Sequence, residues 1–248
     1  MPITQILLTA NSGGGSPPPG TAIMSLIAND YFGSGLSWGD SSGNSNPGTL
    51  VNSPEYTNTV PKHFTFDRTS NQFVQGLDLG NLSTWTIESW FRLSESLTNT
   101  TATAVITTTY NITGGNFYGN INYVLGNWSE SEQDGGSEVL TVGFYDGSWH
   151  TTTGFTPNLN TWYHVVGTYD GTTIKQWVNG VLNSQRSFTG TPVANGGPVR
   201  IGRRWDGAND DDTTFFNGDI AVVKIYNGVL TDEEIVAAYD STSATYST

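Results

Sequence analysis

Cysteine is absent from the 248 residues, which removes disulfides, zinc–thiolate sites and thiol nucleophiles together. Basic residues are scarce: 9 Lys and Arg stand against 22 Asp and Glu, a formal charge of −13. Nucleic acid and anionic membranes repel such a surface, so neither is expected as a partner, whereas neutral glycans and divalent cations remain compatible. The same charge also serves simply to keep a crowded protein in solution. No apolar run approaches the length of a membrane-spanning helix, so no membrane insertion is expected. The opening residues, Met1-Pro-Ile-Thr-Gln-Ile-Leu-Leu-Thr-Ala10, lack the basic stretch of a secretory signal, and the expectation is a chain that begins soluble or reaches its place by assembly or lysis.

What is plentiful points to sheet. There are 30 Gly, 11 Tyr, 11 Phe and 8 Trp, with many Thr and Asn between apolar positions. Aromatic and β-branched residues suit a pleated surface, and Gly and Asn supply tight turns. A length of 248 residues fits a single all-β sandwich. The clearest linker is Asn11-Ser-Gly-Gly-Gly-Ser-Pro-Pro-Pro-Gly20, in which glycine bends and proline stiffens. Residues 1–20 therefore read as an arm plus linker, with 3–10 a docking peg or a loose edge strand, and 21–248 as the sandwich.

Short strands between turns recur from Phe64-Thr-Phe66 through Thr86–Leu93 to Val139–Tyr145, and from 21 to about 58 long loops are expected to join short strands. The meander from Trp162 to Ser187 is the strongest local signal: Tyr163–Tyr169, a turn at Asp170-Gly171, Thr173–Val178, and a second turn at Asn179-Gly180. Near the end, Thr231-Asp-Glu-Glu234 has the spacing of a capping box, with Leu230 and Ile235 placed as a hydrophobic staple. One short helix over 231–239, docked by Ile235, Val236 and Tyr239, is predicted, with a frayed tail beyond it.

Candidate sites follow from side-chain chemistry. Asp206, Asn209, Asp210, Asp211 and Asp212, followed by Asn217 and Asp219, crowd hard oxygen ligands in the manner calcium requires; the alternative is a solvated acidic loop. For glycan stacking, Trp128, Tyr145, Trp149 and Trp205 lie in or beside turn-rich segments, whereas Trp90, Trp162 and Trp177 belong to the core or its margin. His63, His150 and His164 show no His-x-x-x-His spacing, and His164, inside a strand, is expected to be packed or hydrogen-bonded. No serine sits in a Gly-x-Ser-x-Gly elbow. No catalytic residue is assigned.

The series Thr86-Ile-Glu-Ser-Trp90, Trp162-Tyr-His-Val-Val166, Tyr169-Asp-Gly171, Trp177-Val-Asn-Gly180, Ile201-Gly202, Phe216-Asn-Gly-Asp-Ile220 and Leu230–Ile235 resembles the laminin-G-like branch of the concanavalin A-like lectin/glucanase superfamily, over about residues 36–239. The resemblance implies an all-β fold, a two-sheet antiparallel jelly-roll sandwich with one short C-terminal helix on an edge. Trp38-Gly-Asp-Ser-Ser-Gly-Asn44, Gly48–Pro54 and Phe64-Thr-Phe-Asp67 look like the versions found in tailed-bacteriophage virion proteins, with a departure at Arg68-Thr69 where that pattern usually has Gly. Glucanases of the superfamily need carboxylates on alternate strand residues, and Glu88 has none at two or four residues' distance, so no enzyme is expected. The resemblance implies a virion-surface component, capsid decoration, fibre or tail accessory, whose arm contacts other virion proteins and whose sandwich meets host glycans or further copies of itself. The alternatives are a carbohydrate-binding module of a bacterial extracellular protein and a ligand-free capsid cement protein.

Overall fold

The computed structural model describes residues 20–97, 103–110, 121–127, 139–188, 190–192, 196–203 and 215–247, so the N-terminal arm lies outside the described residues. In chain order the strands are β1 (Ala22–Ile27), β2 (Ser37–Trp38), β3 (Gly48–Val51), β4 (Glu55–Thr57), β5 (His63–Phe66), β6 (Phe73–Gln75), β7 (Trp85–Leu93), β8 (Ala104–Tyr110), β9 (Ile121–Asn127), β10 (Leu140–Tyr145), β11 (Trp149–Thr151), β12 (Tyr163–Tyr169), β13 (Thr173–Val178), β14 (Val181–Ser187), β15 (Gly196–Ile201) and β16 (Gly218–Asn227). A single helix, α1 (Asp232–Tyr246), follows. The first sheet runs β14-β13-β12-β7-β16-β5-β4 with β1 added on β16, and the second runs β11-β10-β9-β8-β15-β6-β3-β2. Every described pairing is antiparallel, giving the expected two-sheet sandwich.

Alternation along β7 explains the layering. Trp85, Ile87, Phe91 and Leu93 point into the core between the sheets, where aromatic pairs such as Phe144–Tyr169, 4.8 Å apart, bridge the two layers. Thr86, Glu88, Trp90 and Arg92 point to the opposite face. In β16 the parity changes once. The register against β7 shifts between Ile220 and Val222, so Ile220 faces the core before the shift and Val223 and Ile225 face it afterwards. The bulge leaves Asp219, Val222, Lys224 and Tyr226 all on the outer face.

Both hairpins of the meander form. Asn179 and Gly180 have φ of 50° and 75°, the double positive φ of a two-residue type I′ turn between Val178 and Val181. The other turn is wider. Asp170 Oδ1 accepts from the backbone of Thr172 and Thr173, which holds the three residues 170–172 between the strands.

The capping box forms as predicted: Thr231 Oγ1 accepts from the Glu234 N–H, and the Glu234 carboxylate accepts from the Thr231 N–H. Leu230 and Ile235 are buried in one cluster. The helix is nevertheless longer than expected and sits elsewhere. It continues through Asp240–Tyr246 instead of fraying, and it lies on the outer face of the first sheet rather than on an edge, with Trp90 of β7 against Tyr239 and Tyr246. Local propensity disfavours this Ser/Thr-rich stretch, but tertiary contacts offset it: Tyr246 stacks on Trp90 at 4.2 Å and Trp90 Nε1 donates to Thr242 Oγ1. The Thr242 hydroxyl donates in turn to the Ala238 carbonyl. Val236, expected to dock, is 38% exposed because it points away from the sheet.

Gly167 in β12 packs directly against the second sheet, since a Cβ there would lie 2.2 Å from Val142 Cγ1 of β10. Gly167→Ala is expected to cost about 1–3 kcal/mol by overpacking. Adding Val142→Ala should recover part of that loss, as urea unfolding of the two variants will show.

Candidate functional site

Tyr145 closes β10 and Trp149 opens β11, and the two are directly paired across the hairpin. Their rings lie 5.0 Å apart at 52°, half-buried against Ala104, Ile121 and Val124. Both residues are thus partly accessible to solvent. In the same hairpin His150 Nε2 lies 2.8 Å from Asp146 Oδ1, and the ring packs between Phe144 and Phe188. That geometry is structural.

Trp128, Trp205, Asp206, Asn209, Asp210, Asp211 and Asp212 fall outside the described residues. Asp219 sits in β16 on the outer face, paired with Arg92 and accepting from Thr65 Oγ1 at 2.6 Å. Asn217 donates to Glu95 Oε2 at 3.0 Å. Protein groups already hold both residues. Among the described residues, no group of three or more His, Asp or Glu side chains is placed to hold a metal ion. No described helix is long and apolar enough to cross a membrane.

The arrangement that sequence reading missed is a buried polar cluster under α1. Lys224 of β16 stands directly opposite Glu88 of β7, and Lys224 Nζ donates to Glu88 Oε1 at 2.9 Å. The Tyr226 hydroxyl donates to Glu88 Oε2 at 2.8 Å, and His164 Nε2 lies 3.2 Å from Oε1. Glu88 is 2% exposed. Burial alone would raise its carboxyl, but the His164 hydrogen bond and the Lys224 charge outweigh it and hold the group down to about 2. Burial and the adjacent Glu88 carboxylate push the Tyr226 hydroxyl far above its ordinary range, so it remains a donor. The signal in the sequence was a lysine in the otherwise apolar run Ile220–Tyr226, but the partner of a strand lysine depends on register.

Beside this cluster, between the C-terminal end of α1 and the sheet, opens a cavity of about 320 Å³. Ile27, Trp90, Val222 and Tyr246 line it with apolar surface, and Lys62 and Lys224 bring charge. Trp90 and Trp162, assigned from sequence to the core or its margin, are buried on this outer face together with Ala221 and Val222.

Comparison with known proteins agrees with this architecture. A laminin-G family model, described as the concanavalin A-like lectin/glucanases superfamily, matches residues 66–236. No curated sequence matches significantly. Domain 4 of AbnA, an extracellular GH43 arabinanase from Geobacillus stearothermophilus solved in complex with arabinotriose, aligns with a TM-score of 0.64 at 16% identity, over 88% of this chain and 97% of that one. The binding domain of botulinum neurotoxin DC, in complex with SialylT, aligns at 0.65 and 15%, over 90% of this chain and 52% of that one. The serotype C1 binding domain gives 0.66 and 16%, over 89% and 52%. The chain thus spans about half the length of the toxin domains, and identities this low establish the shared fold alone.

The depressed Glu88 carboxyl has a pH signature. Its stabilisation is fully present above the ordinary value of 4.5 and is lost as pH falls toward 2, because the unfolded chain takes up the proton first. Glu88→Gln is expected to lower stability at pH 7 by up to about 3 kcal/mol, and the variant and the parent should converge between pH 4.5 and 2. Urea unfolding across that window tests this; a constant gap would show that Glu88 is not held ionised.

Proposed function

Since the chain belongs to the concanavalin A-like lectin/glucanase superfamily, we propose that it is a non-catalytic, lectin-like adhesion domain that binds glycans outside a cell. The observation that carries this reading is the Tyr145–Trp149 pair, two half-buried rings side by side on one hairpin. Aromatic faces of this kind stack on the apolar faces of sugars, and neighbouring polar groups read the hydroxyls. The arabinanase domain, matched over 97% of its length and solved with arabinotriose, supports the assignment. The chemistry of Glu88 argues the same way. A glycosidase needs a proton-donating carboxyl beside a second carboxyl group, whereas Glu88 is buried with Lys224, Tyr226 and His164 as its partners.

In the form we favour, the domain is displayed on a tailed-phage virion, held to neighbouring virion proteins through residues 1–20. The resemblance of Trp38–Asn44 and Phe64–Asp67 to virion versions of the domain supports this, as does the Gly/Pro linker. Weak sites displayed in many copies gain avidity without new contacts. A carbohydrate-binding module of a bacterial extracellular protein is the second reading, favoured by the near-complete alignment with the arabinanase domain.

A glycan array probed with the full chain is expected to show retention, and Trp149→Ala should weaken binding roughly tenfold, the loss of one stacking contact. Absence of any glycan signal, or an unchanged signal for neutral glycans in the variant, rejects the adhesion reading. Antibody labelling of particles should decorate the virion surface; if only the bacterial surface is labelled, the second reading holds.

A further inference from the structure

The cavity beneath α1 lies on the first sheet, away from the Tyr145–Trp149 hairpin of the second, and its chemistry is of another kind. In a chain with only 9 basic residues, two lysines line it, against the single carboxylate of Glu88. That carboxylate is already engaged by Lys224, Tyr226 and His164, and Lys224 keeps further N–H donors after giving one to it. Lys62, half-buried at the same cavity, forms no ion pair among the described residues. The Asn29 amide and the Thr245 hydroxyl, also in the lining, make no hydrogen bond among the described residues. The remaining wall is apolar at Ile27, Val60, Trp90, Val222 and Tyr246, and the hydroxyl of Thr242, its one other polar group, is already bonded to Trp90 and to the Ala238 carbonyl.

We infer that this cavity binds a carboxylate-bearing sugar residue, a hexuronic or sialic acid, with its carboxylate between Lys62 and Lys224. The site holds a net positive charge inside a strongly acidic molecule, so it selects an anion that the rest of the surface repels. A bare inorganic anion would leave the apolar wall without a partner, whereas a sugar ring offers that wall an apolar face and turns its hydroxyls toward Asn29 and Thr245. The volume of about 320 Å³ lies at the small end of ligand pockets and suits one or two rings. The site is independent of the aromatic pair.

The test is a ligand-observed NMR titration with glucuronate, N-acetylneuraminate, glucose and inorganic phosphate, run on the full chain and, to read the cavity alone, on the full chain carrying Trp149→Ala, in which the glucose and phosphate comparison is made. At least one of the two acids is expected to bind while glucose and phosphate do not at the same concentrations. Lys62→Ala should weaken that binding roughly tenfold, with Lys62→Arg retaining it. Lys62 is chosen over Lys224 because it supports no buried partner, and circular dichroism will show that its variants fold. Trp149→Ala should leave acid binding unchanged, which separates this site from the adhesion surface. Binding of neither acid, equal binding of glucose or phosphate, indifference to Lys62→Ala, or loss in Trp149→Ala would each overturn the inference.

Discussion

The antiparallel pairing of β7 with β16 is the constraint on which the rest of the molecule depends. The two strands lie in the interior of the first sheet, so each must satisfy its neighbours on both edges and bury side chains on both faces. The inner face meets the second sheet through Ile87, Phe91, Ile220 and Val223. The outer face, with Trp90, Val222 and Tyr226, is apolar enough to require a cover, which α1 supplies. The bulge at Ala221 reconciles the two demands, because without it the residues before and after that point would exchange faces.

From that covering follows the chemistry of the outer face. A carboxylate buried under a helix is costly unless it is paired and fully hydrogen-bonded, and Glu88 has both conditions met. The same pairing ties its oxygens to a fixed set of donors and withdraws it from acid–base work. A second ion pair, Arg92 with Asp219, lies on the same face, with the Arg92 guanidinium over Trp162. The outer face is thus a patterned surface in which ion pairs alternate with aromatic contacts, and the cavity lies where α1 leaves part of it uncovered.

The superfamily likeness fits this division of labour. A sandwich whose core is complete without any ligand leaves its loops and outer faces available for recognition, which is why one fold serves many functions. The Tyr145–Trp149 hairpin belongs to such a margin, at the end of the second sheet rather than in its middle. Binding proposed there asks nothing of the core.

Much of the architecture was legible in the residues. Composition and short alternating runs indicated a sandwich, Asn179-Gly180 dictated a hairpin through positive φ, and Thr231 with Glu234 marked the start of the helix. These signals are local, because turn and cap chemistry acts within a few residues. The extent of α1 was not legible, since a Ser/Thr-rich segment becomes helical here only through the stacking of Tyr246 on Trp90, 156 positions away in the chain. The partnership of Lys224 with Glu88 was equally hidden. It depends on strand order and on a one-residue bulge, and either one altered would send the lysine to another face or another neighbour. The sequence alone determined which segments pleat, turn and coil; the tertiary structure decided which side chains meet, because long-range register and face are set by packing rather than by local chemistry.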